Sequence, residues 1–548
     1  MAMNGFFVMT LAVALSMVLI PIAQRLAPRL GMVDMPDPRK VHSAPVPRVG
    51  GWGITVGSLV PLVLVFQSNP LLQSFAAGGL VLFAFGLWDD AKQVSHWIKF
   101  VGQLLAAGLV VYHGDLYVSR IPFLDWLVLD PAIGRPFTLF ALVGVINAIN
   151  HSDGLDGLAS GESMLSLIAI AFLGYLSGNA LVVGMALATI GGTLGFLRYN
   201  THPARVFMGD AGSQFLGFTL GVLLVYLTQV AYTTTSAALP LLLLGLPIAD
   251  IISVLYQRIR GGMNWFKATR NHVHHRLLAL GFSHFQTVVI IYSVQAAMVV
   301  GAVLMRYQSD LMVGAAYFAV IVALFTLLTV AERRNWKLDA QRLASAVPLP
   351  VPLQRFVDNK TLRSLPLMTI TIVVPMFMLY GALSVEAIPS DFGAVASALA
   401  ALVLTQMVRR RGADSVIMKV ALYVTAAFSA YLIVTYPGAT GSLALHLADV
   451  MVFVLAAAVG IFIRFLSDRK FSTTPTDFLV GFGLVALVMF NRSGSGANAT
   501  TQFVTYAIVL FYGCEVISER VASRWHLLNW AALATLTIAG VRGLWPGA

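Results

Sequence analysis

The sequence predicts an all-α protein that crosses a membrane many times. Three observations predict it. Hydrophobic residues make up 58% of the 548 residues and charged residues only 11%. Mean hydropathy is +0.82. Apolar runs near the roughly 20 residues that a helix needs to cross a bilayer recur along the whole chain, whereas the alternating segments of about 10 residues that a membrane β-barrel requires are absent.

About eighteen runs of that length can be placed. The first eleven lie near 5–27, 49–67, 71–88, 98–112, 136–150, 158–177, 179–196, 213–228, 236–257, 284–304 and 311–330. A polar stretch follows at 332–365. Seven more lie near 366–385, 389–407, 416–435, 445–465, 476–491, 501–517 and 527–545. The organisation expected is a membrane core over 1–331, a cytoplasmic linker over 332–365 and a C-terminal transmembrane region of unassigned function over 366–548. The first run lacks a basic leading segment and reads as a first span rather than a cleaved signal peptide.

Lys and Arg set the orientation. With the N-terminus outside, the cytoplasmic loops hold Arg39, Lys40 and Arg48, then Lys92, then Arg198 and Arg205, then Arg258, Arg260, Lys267, Arg270 and Arg276, and then the basic linker. The opposite loops are poor in cations. This bias accounts for the net charge of +11 and suits anionic head groups. It argues against a nucleic-acid partner, because the charge is spread over short loops rather than gathered in one patch. Cys514 is the one cysteine and lies in an apolar run, so neither a disulfide framework nor a cysteine metal site is expected.

The loops on the predicted cytoplasmic side carry five polar clusters. VDMPDPRKVHSAPVPRVGGWG (33–53) joins stiff prolines and glycines to the cations Arg39, Lys40, His42 and Arg48. GLWDDAKQVSHWIKFVGQ (86–103) ends an apolar helix on the adjacent carboxylates Asp89 and Asp90, which are costly near hydrocarbon and invite a divalent cation. INAINHSDGLDGLASG (146–161) repeats Asn147, Asn150, Asp153 and Asp156 at intervals of three. The two asparagines share one helix face, and Gly154 and Gly157 then let backbone approach a ligand. RYNTHPARVFMGDAGSQFLG (198–217) sets Asp210 between small residues at a helix start, where a metal or a phosphate can be held. KATRNHVHHRLLALG (267–281) groups His272, His274, His275 and Arg276. Phosphate contact is a simpler reading of that cluster than zinc, whose sites want a fourth ligand and regular spacing. Read blandly, each segment is a polar turn, a helix cap or a positive-inside loop. Together on one face they form the inventory for a Mg²⁺-dependent reaction on a phosphorylated substrate.

These elements, in order, resemble the polyprenyl-phosphate N-acetylhexosamine-1-phosphate transferases of glycosyltransferase family 4. The matching residues are D-x-P-x-x-R-K-x-H from Asp34 to His42, P-R-x-G-G from Pro47 to Gly51, and Asp89 and Asp90 followed by Lys99 and Gln103. They continue with N-x-x-N-x-x-D-G-x-D-G-L-A-x-G from Asn147 to Gly161, N-x-x-P-A-x-V-F-M-G-D-x-G-S from Asn200 to Ser213, and H-x-H-H-R-L from His272 to Leu277. The resemblance covers about residues 1–330. The histidine signature looks like the branch that starts O-antigen and similar surface glycans. That branch often has an acidic residue where this chain has Thr269, which leaves the sugar open.

The resemblance implies transfer of N-acetylhexosamine 1-phosphate from a UDP-sugar to undecaprenyl phosphate, with release of UMP, at the cytoplasmic face of a bacterial inner membrane. It implies Asp210 and Asn150 as ligands of Mg²⁺, with Mn²⁺ as a substitute, and Asp89 and Asp90 as the groups that orient or deprotonate the lipid phosphate. It implies substrate contacts from Asn147, Asp153, Asp156, His272, His274, His275 and Arg276, with Lys40 and Arg48 as further phosphate contacts, and homodimers as in related enzymes. The alternatives weighed are the phospho-MurNAc-pentapeptide branch, against which the histidine motif argues, and a multi-pass transporter, for which Asp449 and Lys419 are the only hints.

Overall fold

The computed structural model describes residues 2–36, 44–66, 69–124, 126–262, 271–338, 360–408, 416–436, 441–463, 497–520 and 525–545. They are almost entirely helical. Ten helices among them are long and apolar enough to cross a membrane, and five shorter apolar helices accompany them. The fold class is therefore the expected one, an all-α polytopic membrane protein. The chain packs as two units, one over 1–344 and one formed mainly by 345–548.

The first unit runs α1 (Ala2–Leu30), a hairpin of β1 (Val33–Asp34) and β2 (Val46–Pro47), α2 (Gly50–Phe66), α3 (Pro70–Lys92) and α4 (His96–Gly108), which ends in a π-helical turn. It continues with α5 (Pro131–Ser152), α6 (Leu158–Leu176), α7 (Ala180–Asn200) and α8 (Gly209–Tyr226). After these come α9 (Leu239–Leu243), α10 (Gly245–Arg260), α11 (Val273–Ala279), α12 (His284–Leu304) and α13 (Asp310–Arg333). Helices α6, α7 and α8 are the most enclosed and α13 is among the most peripheral. The apolar run near 236–257 does not form one helix. Pro240, Gly245 and Pro247 break it at Leu244 into a five-residue piece and an amphipathic helix, as missing amide donors require.

Small residues bring the helices together, as expected where hydrocarbon surrounds the bundle and close backbone packing must hold it. Ser16 on α1 donates to the Gly192 carbonyl of α7 at 2.8 Å. The contact between α3 and α8 matters most. A Cβ on Gly86 would stand 2.3 Å from Ala211 Cα, so only glycine lets α3 approach the first turn of α8. The β-hairpin braces the same place. Phe207 N donates to Pro47 O at 2.8 Å, and Gly50 N and Gly51 N donate to Phe207 O and Met208 O at 2.9 and 2.8 Å.

At the other end of the bundle, Asp310 at the start of α13 accepts from Phe123 N, Ala238 N and the Ser236 hydroxyl, tying the loops there. The ends of α3, α5, α6, α7 and α8 are thus left to meet at the end that carries the polar motifs.

The second unit holds α14 (Lys360–Leu383), α15 (Ser390–Val408), α16 (Val416–Thr435), α17 (Gly441–Ile461), α18 (Ala497–Arg520) and α19 (Trp525–Leu544) around its own apolar core. The run near 476–491 lies outside the described residues. Arg542 on α19 donates to the carbonyls of Ala382, at the end of α14, and Val385, just beyond it, at 2.7 and 2.6 Å. Asp449 accepts from Tyr506 at 2.6 Å and Gln502 at 3.0 Å. Neither charge is idle in the bundle, and the side chain of Lys419 lies outside the described residues.

Gly86→Val is expected to destabilise the first unit by about 1–3 kcal/mol, the usual cost of overpacking. Thermal unfolding in detergent checks this, and an unchanged melting temperature would mean that α3 and α8 do not meet there.

Candidate active site

Asp89 and Asp90 occupy the last turn of α3, both buried. Adjacent residues on a helix point about 100° apart, and the two carboxylates do different things. Asp90 caps α8: it accepts from Asp210 N at 2.9 Å and Ala211 N at 3.2 Å, and Gly209, at φ +72°, leaves no side chain to collide with it. Asp89 faces Lys99 on α4, with Oδ2 at 2.8 Å from Nζ. The same ammonium lies 2.6 Å from Asp210 Oδ2.

Asn150 completes the group from the last turn of α5, donating to Ser213 Oγ at 2.8 Å and Asp210 Oδ1 at 3.3 Å. One helical turn deeper lies an amide layer. Gln103 is four residues after Lys99, Gln214 four after Asp210, and Asn147 three before Asn150. Asn147 donates to Gln103 Oε1 at 2.8 Å, and Gln103 to Gln214 Oε1 at 3.3 Å. This layer satisfies the polar groups where the site gives way to apolar core. Asn147 thus supports the acidic group from below.

Two carboxylates therefore converge on a cation, here the Lys99 ammonium, and the Asn150 amide donates to one of them. Hard divalent ions take carboxylate and amide oxygens, so Asp89 and Asp210 fit such an ion as they stand, and Asn150 would join them with its amide turned to present its oxygen. The surplus of acid matters as well: a diphosphate would be repelled from this group unless cations offset it.

The 153–157 segment turns beside this group and is clamped on several sides. Gly157 N donates to Asn200 Oδ1 at 2.8 Å, and the Tyr292 hydroxyl of α12 donates to Gly157 O. Gly154 packs against His274, whose Nε2 would be 2.3 Å from a Cβ there. Asp156 accepts from Ala204 N at 3.0 Å and pairs with His202 Nδ1 at 2.7 Å. Burial favours its neutral form, but His202 and the Ala204 amide outweigh that and hold its carboxyl below the usual range. Asp153 behaves oppositely. Burial first, then the charges of Asp210 and Asp156, push it up to about 7.

The histidine motif is set by a residue the sequence reading did not single out. Asp250, buried on α10, takes His272 Nδ1 at 2.7 Å and Val273 N at 2.8 Å, which fixes the His272 ring and caps α11. His272 stacks at 5.8 Å on His151, the neighbour of Asn150, so the histidines adjoin the acidic group. His274 lies 5.6 Å from His272 and 4.2 Å from His275, ring to ring. Burial and these neighbours push His274 down to about 3, so it is neutral. Glu162, buried on α6, lines the same small cavity as Asp250 and His274.

Two expected phosphate contacts are engaged elsewhere. Arg276 forms a two-pronged ion pair with Glu332 of α13, at 2.7 and 2.8 Å, and does not point its charge at the acidic group. Helical spacing explains this, because Arg276 lies two residues beyond His274 on another face of α11. Arg48 pairs with Asp34 across the hairpin. Lys40 lies outside the described residues. Lys99, Gln103 and Asn200 stand in the motifs and His202 in the 198–217 cluster, where spacing alone assigns them no task, while Asp250, Tyr292 and Glu162 are single polar residues in ordinary helices and carry no signal.

Comparison with known proteins decides the family. The family model for glycosyl transferase family 4 matches residues 72–228, which span Asp89 to the end of α8. A probable undecaprenyl-phosphate N-acetylglucosaminyl 1-phosphate transferase of Bacillus subtilis (strain 168) is 33% identical over 318 residues, 58% of this chain and 88% of that protein. The chain belongs to glycosyl transferase family 4. Its likeness extends to an undecaprenyl-phosphate alpha-N-acetylglucosaminyl 1-phosphate transferase of Escherichia coli O157:H7, 31% identical over 58% of this chain and 87% of that protein. A decaprenyl-phosphate N-acetylglucosaminephosphotransferase of Mycobacterium leprae (strain TN) is 32% identical over 57% and 86%. In this family 4 member the matched region supplies the acidic group and most of the clamp, and Asp250 and the histidines lie beyond it.

Because His274 is held neutral, the unfolded chain takes up its proton first, near 6.5, and stability is lost as pH falls from there towards about 3. His274→Asn is expected to flatten part of this acid loss. Urea unfolding at pH 7 and pH 5 measures it, and an equal loss in both proteins would show that His274 is not kept neutral.

Proposed function

We propose that the protein transfers N-acetylhexosamine 1-phosphate from a UDP-sugar to undecaprenyl phosphate, releasing UMP, as the first step in making a lipid-linked surface polysaccharide. N-acetylglucosamine is the favoured sugar, since the relatives are named for it. The observation that carries the reading is the convergence of Asp89, Asp210, Asn150 and Lys99 at one end of the helix bundle, beside the histidines. That placement lets a prenyl tail stay in lipid while its phosphate meets a water-soluble nucleotide. The basic loops support a cytoplasmic site in a bacterial inner membrane.

An oxygen of the lipid phosphate forms a bond to the β-phosphorus of the UDP-sugar. The bond from that phosphorus to the oxygen bridging the two phosphates breaks, and its electron pair leaves with UMP. Such transfers depend on positioning and charge stabilisation more than on covalent help. Mg²⁺, or Mn²⁺ in its place, held by Asp210, Asn150 and Asp89, would supply positive charge to the diphosphate oxygens.

The chain's own groups do the rest. Lys99 brings a fixed cation to the point where phosphate oxygens arrive. Asp90 holds Asp210 in place through the α8 amides. A phosphate monoester loses its second proton near pH 6, so Asp89 need not deprotonate the attacking phosphate at neutral pH and orients it instead through the Lys99 ammonium that it holds. Asp153 and the clamped 153–157 segment face the nucleotide. His272, oriented by Asp250, contacts the diphosphate or sugar.

Purified protein given undecaprenyl phosphate, Mg²⁺ and a panel of UDP-N-acetylhexosamines is expected to release UMP with one donor. Asp210→Ala should lower that rate by at least about 10²-fold, the scale for losing one transition-state stabiliser, and EDTA should abolish it. Folded protein that releases no UMP from any donor would sink the reading.

A further inference from the structure

Asp156, His202 and His284 form a cluster outside the acidic group. One ligand atom from each lies within 4.8 Å of the other two. They come from three separate segments: the turn before α6, the connection from α7 to α8, and the first turn of α12. His202 and His284 stack at 4.0 Å between ring centres, with planes 18° apart. The decisive feature is His284. Neither of its ring nitrogens reaches solvent or a hydrogen-bond partner. A neutral imidazole always has one N–H to donate and one lone pair to place, and buried polar atoms of this kind are normally satisfied.

We propose that Asp156, His202 and His284 bind a divalent ion of the zinc type, distinct from any ion at Asp210. Two imidazoles and one carboxylate suit Zn²⁺ or Co²⁺ rather than Mg²⁺, which prefers oxygen ligands. Three protein ligands leave a fourth position for water or a substrate oxygen. Ligand atoms about 2.0–2.2 Å from a tetrahedral ion stand roughly 3.3–3.6 Å apart, so Asp156 Oδ2 and His202 Nδ1, now 2.7 Å apart, need to part only slightly, while one of the stacked imidazoles must swing for both lone pairs to meet at the ion. His202 is 43% exposed, which gives an ion a route in. The lone pair that the ion takes on His284 has no competing partner.

Bound there, the ion would staple the 153–157 turn to the two segments that flank it. Asp156 already accepts from Ala204 N, so the metal would lock a turn that the protein half-fixes by itself. The inference concerns this cluster alone and does not depend on the proposed transferase activity.

The test uses full-length, tag-free protein in detergent, stripped with a chelator and titrated with Co²⁺ without substrate. One four-coordinate Co²⁺ per chain is expected, marked by intense visible bands that an ion among the oxygen ligands near Asp210 would not give. Zn²⁺ should displace it and raise the melting temperature. His202→Gln and His284→Gln should each lose the bands. His275→Gln, which alters the other histidine cluster, should keep them. Absence of the bands in the unmutated protein overturns the proposal, and so does their survival in both His202→Gln and His284→Gln. Loss in His275→Gln with retention in His284→Gln also overturns it and assigns the metal to the 272–275 cluster.

Discussion

Asp90 spends both carboxylate oxygens on the first amides of α8, and most of the site's order follows from that cap. A helix start exposes amides that need acceptors, and here the acceptor comes from another helix, held within reach because residue 86 is glycine. The cap fixes where Asp210 emerges. It also turns Asp89, the next residue round α3, towards Lys99. One close helix contact therefore places a carboxylate on each side of the same ammonium. Loss of that contact would scatter the acidic group without changing any of its members.

The second constraint is the cost of gathering charge where water is scarce. Each of the principal acids has its own answer. Asp90 takes helix amides, Asp89 and Asp210 share Lys99, Asp156 takes a histidine and an amide, and Asp250 takes His272 and the α11 amide. Asp153 has the weakest provision, and burial with two acidic neighbours raises its pKa to about 7. The site is acid-rich at rest. The diphosphate of the proposed donor would add more negative charge to it. A divalent cation would relieve both problems at once, on grounds of charge alone.

Much of this was legible in the sequence, and the reasons are local. Apolar runs of membrane length give the helices, because every backbone polar group in lipid must be bonded within its own segment. The recurrence at three residues of Asn147, Asn150, Asp153 and Asp156 gives a polar face and then a turn, and the structure has both. What stayed hidden depends on pairing across the chain. Adjacency in Asp89-Asp90 invites a common role, yet the 100° between neighbours on a helix assigns one to an ammonium and the other to a cap. Arg276 sits in the histidine motif but is claimed by Glu332, 56 residues later. Asp250 precedes the histidines by 22 residues on another helix, and no spacing announces it. The break at Leu244 was readable from Pro240, Gly245 and Pro247, but hydropathy alone ran through it.

The site divides into a rigid half and a clamped half. Asp89, Asp90, Lys99, Asn150 and Asp210 stand on long helices braced by the hairpin, so their geometry is inherited from the bundle. The 153–157 turn and the histidines instead depend on side-chain contacts from Asn200, His202, Asp250 and Tyr292. Long helices cannot open to admit a ligand without unpacking their neighbours, whereas a turn held by a few hydrogen bonds can be loosened at modest cost. The proposed metal and phosphate chemistry would fit the first half, where precision matters. In the proposed reaction, recognition of the nucleotide and sugar would fit the second, where a soluble substrate would have to enter and a spent nucleotide leave.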